Sequence, residues 1–217
     1  MTDAGQRGAA ELQEPLIDAA LAHVPFDGWG QTALLAGARD LGIDRGLALN
    51  AFPGGPEEMI EYHSQLADRR MVEAYEASAT EGLKLREKVA LAIHLRLAAN
   101  APHREAIRRA LSILALPIHA PLAAKLIYRT VDAVWYAIGD RSTDYNFYTK
   151  RGLLAGVYSS TLLYWLNDKS PDGEATWSFL DRRIADVMRV PQVMARIGKL
   201  TDKLPNPFRF LRRRAAP

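Results

Sequence analysis

An all-α fold is what this 217-residue chain predicts, and three observations carry that expectation. Apolar residues recur every third or fourth position over long stretches, as one face of a helix requires. Glycine and proline fall between those stretches rather than within them. No segment alternates polar and apolar residues long enough to read as a strand. With 48% hydrophobic and 24% charged residues, the chain can bury a sizeable core, and its length suits one domain or one domain with a small appendage. There is no cysteine, which excludes a disulfide scaffold, a thiol nucleophile and a zinc finger, and suits a reducing cytoplasm.

The elements read as follows from the N-terminus. Residues 1–16, MTDAGQRGAAELQEPL, hold neither an apolar signal core nor an Arg-rich, acid-free stretch, so nothing there directs export or organelle import. Residues 12–24 form an amphipathic helix and residues 31–41 a second. Gly42-Ile43-Asp44 makes a tight turn before residues 45–52, which is the layout of a helix-turn-helix. Leu34, Leu35, Leu47, Leu49 and Phe52 are its candidate core.

Charge argues against DNA as the ligand of that module. Residues 1–81 carry five Lys/Arg against fourteen Asp/Glu, residues 82–188 fifteen against ten, and residues 189–217 eight against one. Duplex DNA presents a phosphate about every 1.7 Å of axis, and affinity rests on cations that neutralise it. The would-be recognition helix offers Arg45 alone, directly after Asp44.

Three further helices are expected over 83–99, 105–116 and 122–138. The most apolar run, 110–124, is broken by Pro117, His119 and Pro121, and is too short to span a bilayer. Then comes Gly139-Asp140-Arg141-Ser142-Thr143-Asp144, in which Gly ends one helix and Ser, Thr or Asp caps the next. A long helix over 145–166 follows, with Leu154, Val157, Thr161 and Trp165 on one face. Its small residues, Gly152, Ala155, Gly156, Ser159 and Ser160, leave room for a neighbouring backbone or a ligand. Ser170-Pro171-Asp172 restarts the chain with a capping Ser, a Pro where a missing N–H costs nothing, and an acid facing the helix dipole.

The run GDRSTDYNFYTKR, then LLAGVYSSTLLYWLNDKSP and TWSFLDRRIADVM, with RALSILALP upstream, resembles the ubiquinone-biosynthesis accessory lipid-binding proteins. The resemblance covers residues 82–188, about half the chain. It implies a TetR-repressor-like helical bundle with an N-terminal helix-turn-helix-like module (1–81), a lipid-binding and dimerisation domain (82–189) and a basic amphipathic tail (190–217). It implies a homodimer, without catalysis or cofactor, that binds an isoprenoid quinone precursor or a phospholipid and presents it to a ring hydroxylase of the pathway. Leu116, Val131, Trp135, Leu154, Val157, Tyr158, Thr161 and Trp165 are then the candidate lipid-binding residues, although a stripe of this kind reads as solid core when taken alone. Asp132, Phe147 and Tyr148 are the positions expected to meet the hydroxylase, as aromatics with a charge beside them make interface anchors. Phe147 departs from the family pattern, in which some relatives are expected to carry tryptophan.

The tail is the second functional signal. Residues 192–204 put Val193, Ile197 and Leu200 on one face and Lys199 with other cations on another. Phe208 and Phe210 then stand among Arg209, Arg212, Arg213 and Arg214. Apolar residues interleaved with cations describe a helix lying in a membrane interface, at about 1 kcal/mol per cation near an anionic leaflet. The expected location is the cytoplasmic face of a bacterial inner membrane, reached peripherally; a disordered basic tail is the alternative. Catalytic signatures are wanting. The five histidines are scattered, Glu58, Glu61 and His63 do not make the Glu-x-x-His pairs of a di-iron bundle, and neither a P-loop nor a dinucleotide or hydrolase motif occurs. No metal site is expected. The rival reading is a ligand-responsive transcriptional regulator of the TetR type.

Overall fold

The computed structural model describes the backbone of residues 3–140 and 146–201, and within these the side chains of residues 10–140 and 149–188. Ten α-helices stand among the described residues, with no strand. They are α1 (Asp3–Leu21), α2 (Val24–Asp27), α3 (Gln31–Asp40), α4 (Arg45–Ala51), α5 (Gly55–Glu76), α6 (Leu85–Ala99), α7 (Arg104–Leu114), α8 (Ala120–Ala137), α9 (Asn146–Asn167) and α10 (Glu174–Thr201). Short 3-10 turns lead into α7, α8 and α10.

Local chemistry sets most of these ends. Gly42 turns the chain with φ +66°, and the Asp44 carboxylate accepts the backbone N–H groups of Gly46 at 2.7 Å and Leu47 at 3.2 Å, capping α4. Gly139, at φ +80°, closes α8, and the Asp140 N–H reaches back to the Trp135 carbonyl at 3.0 Å, as a left-handed helix stop requires. Before α10, Ser170 Oγ accepts the Ala175 N–H at 3.0 Å while Asp168 accepts the N–H and the hydroxyl of Thr176. The cap is therefore shared between two residues. Pro171 opens a 3-10 turn ahead of α10 instead of the helix itself. Further on, α10 runs through Pro191, across the expected boundary between residues 189 and 190; one missing N–H forfeits a single helical bond.

Two apolar cores organise the bundle. The first joins Leu16, Ile17, Leu34 and Phe52 with Met59 and Leu66, and continues into Ala106, Ala110 and Leu126. The second gathers Met71, Ile93, Leu97, Val131, Trp135, Leu154, Trp165 and Leu180. Helix α5 belongs to both: its first half feeds the first core, and Met71 and Tyr75 the second. Residue 81 lies in the link between α5 and α6. The seam between the cores is thus a helix, and the N-terminal module is packed on the rest of the chain. At one crossing α1 and α3 touch backbone to backbone, since a Cβ at Gly37 would stand 2.7 Å from the Ala20 nitrogen.

Among the described residues no single helix is long and apolar enough to cross a membrane. Residues 101–114 and 117–137 pass on composition only as a pair bent by 97°.

Candidate lipid cleft and its polar end

The helices that meet at the seam do not close over it completely. Between α5, α6, α7, α8 and α9 lies a cleft of about 320 Å³, at the lower end of the range in which small-molecule sites fall. Its walls are apolar: Ile60 from α5, Ile107, Ala110, Leu111 and Leu114 from α7, Ala123, Leu126 and Ile127 from α8, and Leu162 and Leu163 from α9. Exposure is graded along it. Ala115 and Leu163 are exposed, whereas Ala110, Leu126, Thr130 and Tyr158 are buried. Beside the open end, the α7–α8 elbow carries Leu116 (51% exposed) and Ile118 (79% exposed).

The closed end is polar. Arg96 Nε donates to Asp68 Oδ1 at 2.7 Å, its Nη1 donates to the Tyr158 hydroxyl oxygen at 2.5 Å, and its Nη2 donates to Ser64 Oγ at 3.2 Å. The Thr130 hydroxyl donates to the same Asp68 oxygen at 2.9 Å. Arg96, Asp68 and Thr130 are buried. Burial alone would make Arg96 less basic, but Tyr158 and Asp68 raise its pKa, and it stays charged. Burial also pushes the Tyr158 hydroxyl up, against the pull of Arg96, so it stays a neutral phenol. An isolated cation here would cost several kcal/mol, which the ion pair and its hydrogen bonds offset.

His63, one turn from Ile60 and Ala67 on α5, lines the same end. Burial, then the Arg96 charge, lowers its pKa from 6.5 to about 3, so its imidazole is neutral at physiological pH. The ring lies 5.6 Å from that of Trp29. No described residue makes a hydrogen bond to it.

The expected lipid-binding residues are distributed unevenly about this cleft. Tyr158 lines it. Val131, Trp135, Leu154, Val157 and Trp165 are buried in the second core; Thr161 is buried too, its hydroxyl spent on the Val157 carbonyl at 2.7 Å. Leu116 stands at the elbow, outside the lining. The helices over 83–99, 105–116 and 122–138 are the ones the sequence offers as walls of a ligand chamber, and α6, α7 and α8 do line the cleft; α5 is not among them, and neither Arg96 nor the individual α7 residues are singled out by the sequence. A signal existed: Arg96 falls in the apolar stripe of its helix, and a lone cation on such a face calls for a buried partner.

Of the expected partner residues, Asp132 is half-exposed on α8 and accepts Arg151 Nε at 2.9 Å and Nη2 at 2.6 Å, clamping α8 to α9. Phe147 and Tyr148 are on the first turn of α9, their side chains outside the described residues. In the tail, Val193, Ile197, Lys199 and Leu200 lie on the backbone of α10. Their side chains, and Phe208, Phe210, Arg212, Arg213 and Arg214 altogether, lie outside the described residues. Among the described residues no three His, Asp or Glu side chains are grouped as metal ligands would be.

The COQ9 family model matches residues 120–191, the stretch from α8 into α10. Over 203 residues, 89% of this chain, the sequence is 36% identical to the mitochondrial ubiquinone biosynthesis protein COQ9 of Rattus norvegicus. The matched human protein is likewise 36% identical, and that of Drosophila melanogaster 30%. The chain spans 63–64% of the length of these relatives. Among solved structures, a TetR transcriptional regulator from Nitrosomonas europaea superposes with a TM-score of 0.66 over 82% of this chain and 98% of that one, at 22% identity. That likeness establishes the TetR-like fold.

Proposed function

This chain belongs to the COQ9 family, and from that premise we propose that it serves ubiquinone biosynthesis as a non-catalytic carrier. It holds an isoprenoid precursor of the quinone, or a phospholipid, in the α5–α9 cleft and presents it to a ring hydroxylase. The observation that carries this reading is the cleft itself: apolar walls from four helices, an open end flanked by exposed Leu163, Leu116 and Ile118, and a closed end with hydrogen-bonding groups. An amphiphile needs those three features and a solid core supplies none of them.

The rest of the reading follows the family resemblance. The protein is a homodimer. Asp132, Phe147 and Tyr148 face the hydroxylase, and the basic tail lies on anionic lipid at the surface of the membrane where ubiquinone is made. The similar rat and human proteins are mitochondrial, and for a bacterial chain the same surface is the cytoplasmic face of the inner membrane. The regulator reading draws on fold alone, and the helix that would enter DNA begins at a carboxylate, Asp44, and carries a single cation, Arg45.

Solvent extraction of purified protein followed by mass spectrometry tests the proposal. Isoprenoid ring compounds or phospholipid in stoichiometric amount are expected. Empty extracts from independent preparations, together with failure to take up added lipid, would overturn it.

A further inference from the structure

We infer that the elbow between α7 and α8 dips into a lipid bilayer, with Leu116, Pro117 and Ile118 at its tip, so that the mouth of the cleft opens against the membrane rather than into water. The inference rests on the carrier reading above and adds a membrane contact separate from the basic tail.

The tip is exposed and apolar without a break. Ala115, Leu116, Pro117 and Ile118 follow one another on the surface, Leu116 51% and Ile118 79% exposed, and Ala120, Pro121 and Ala124 extend the patch along the start of α8. Residues 110–124 contain no Asp, Glu, Lys or Arg. A contiguous apolar patch of this kind marks a contact with something outside the chain.

The backbone of the tip suits lipid in particular. Water satisfies any peptide group of an exposed loop, whereas hydrocarbon satisfies none. Here the Leu116 N–H donates to the Ile113 carbonyl at 3.1 Å, the His119 N–H to that of Leu116 at 2.9 Å, and the Ala120 N–H to that of Pro117. Pro117 and Pro121 have no N–H to satisfy. The elbow thus turns the chain by 97° with few donors left open.

Charge sets the depth. Arg108 and Arg109 on one arm share Glu105 at 3.2 and 3.6 Å, and Lys125 and Arg129 on the other share Glu61 at 2.6 and 2.9 Å. Each arm therefore carries two cations on one carboxylate, and its surplus positive charge suits anionic headgroups. Arg109 and Lys125 each stand eight residues from Pro117, about 12 Å along an arm and about 8 Å back from the tip along the bisector of the bend. Interfacial segments sink about 5–10 Å, so a tip at that depth leaves both arms' cations at headgroup level. Glu57, 3.7 Å from the His119 imidazole, stops deeper entry, because a carboxylate is costly in hydrocarbon.

The cleft supplies the reason for contact there. Leu114 and Ala115 at one side of the elbow and Ala123 at the other also line the cleft, whose exposed Leu163 stands at the same end. A water-insoluble ligand that left by this mouth into solvent would expose its apolar surface. A mouth set against the bilayer avoids that cost.

Because the chain has no cysteine, Ile118→Cys and Ala79→Cys each give a unique labelling site on the full chain. Ala79 is exposed beyond the end of α5 that lies away from Glu57. Each variant carries a nitrobenzoxadiazole fluorophore and is mixed with vesicles of phosphatidylcholine and a minority of phosphatidylglycerol. With nitroxide-bearing lipid in the vesicles, the label at 118 should brighten, shift to the blue and be quenched, and the label at 79 should do none of these. Replacing Leu116 and Ile118 by Ser should weaken vesicle binding about tenfold or more, the worth of two apolar side chains, with the melting temperature unchanged because both are exposed. A label at 118 that stays in water on vesicle-bound protein overturns the inference, whether or not extracts of the protein hold lipid, so its failure is separate from that of the carrier reading. Full-length protein that binds no vesicles overturns it too. So does a double-serine variant that binds vesicles as the native protein does, and a change in its oligomeric state would then assign the patch to a second copy of the chain.

Discussion

The indole N–H of Trp29 donates to the backbone carbonyl of Ala106 at 2.8 Å, joining the loop after α2 to α7 across 77 residues of sequence. Both residues are buried in the first core. This bond makes the N-terminal helices one wall's support for the cleft, since Ala110, one turn on from Ala106, lines it. Trp29→Phe keeps most of the apolar contact and loses the bond. It should cost about 1–2 kcal/mol, lowering the melting temperature by roughly 2–8 °C for a chain of this size. Calorimetry checks the value; an unchanged melting temperature would mean that the bond contributes nothing.

Asp68 and Arg96 predict a strong non-additivity. Arg96→Met or Asp68→Leu alone leaves a buried charge without its partner, for which about 3–5 kcal/mol is typical. The double variant removes both charges and should be less damaged than the two single costs together, by at least 2 kcal/mol. Urea denaturation of the four proteins gives the cycle. Additive losses would show that the two side chains do not interact.

Gly37 is needed for space, not for its dihedral freedom. Its added Cβ in Gly37→Ala would meet the backbone of Ala19 and Ala20 at 2.7–3.0 Å, and backbone cannot swing aside as a side-chain tip can. A loss of about 1–3 kcal/mol is expected from forcing α1 and α3 apart, although Ala is the better helix former. A stabilised variant in urea would refute the close approach.

His63 has a pH signature. Its folded pKa is about 3 and its ordinary value 6.5, so between these values the unfolded chain binds the extra proton. Stability from this group is full above about pH 6.5 and falls as the pH drops toward 3, with a limiting slope near 1.4 kcal/mol per pH unit. His94 and His103, also lowered by burial, act in the same direction. The measurement is therefore the difference between native protein and His63→Leu, whose stability should decline less steeply from pH 6.5 to 4.5. Parallel curves would mean that His63 titrates normally in the folded state.

For the tail, removal of residues 190–217 takes away seven Lys/Arg, one Asp and the apolar residues Val193, Ile197, Leu200, Phe208 and Phe210. The shortened chain should stay folded but no longer sediment with anionic liposomes. Salt should weaken binding of the full chain without abolishing it, because screening acts on charge and leaves burial intact. Equal sedimentation of both forms would place the membrane contact elsewhere.

Local signals in the sequence determined the helices themselves. The 3.6-residue repeat, the glycine stop at Gly139 and the caps at Asp44 and Ser170 are short-range, and the helices over 31–40, 45–51 and 146–167 stand within a residue or two of their expected ends. The motif run around 139–188 likewise carried the family. The faces were another matter. Leu154, Val157 and Trp165 announce an apolar stripe, but a stripe does not record whether its partner touches it or leaves a gap, and here those residues fill the second core while Ser159, Leu162 and Leu163, on the adjoining face of the same helix, line the cleft. Helix α5, whose residues Asp68 and His63 sit among charges and so give a weak periodic signal, was not legible as the strut between two cores. Pairing of Asp68 with Arg96, and of Trp29 with Ala106, joins residues 28 and 77 positions apart. Such contacts follow from how helices cross, and crossing angles are set by packing of whole surfaces rather than by any one segment. The tertiary structure alone therefore decided where the cleft opens and which of its ends is polar.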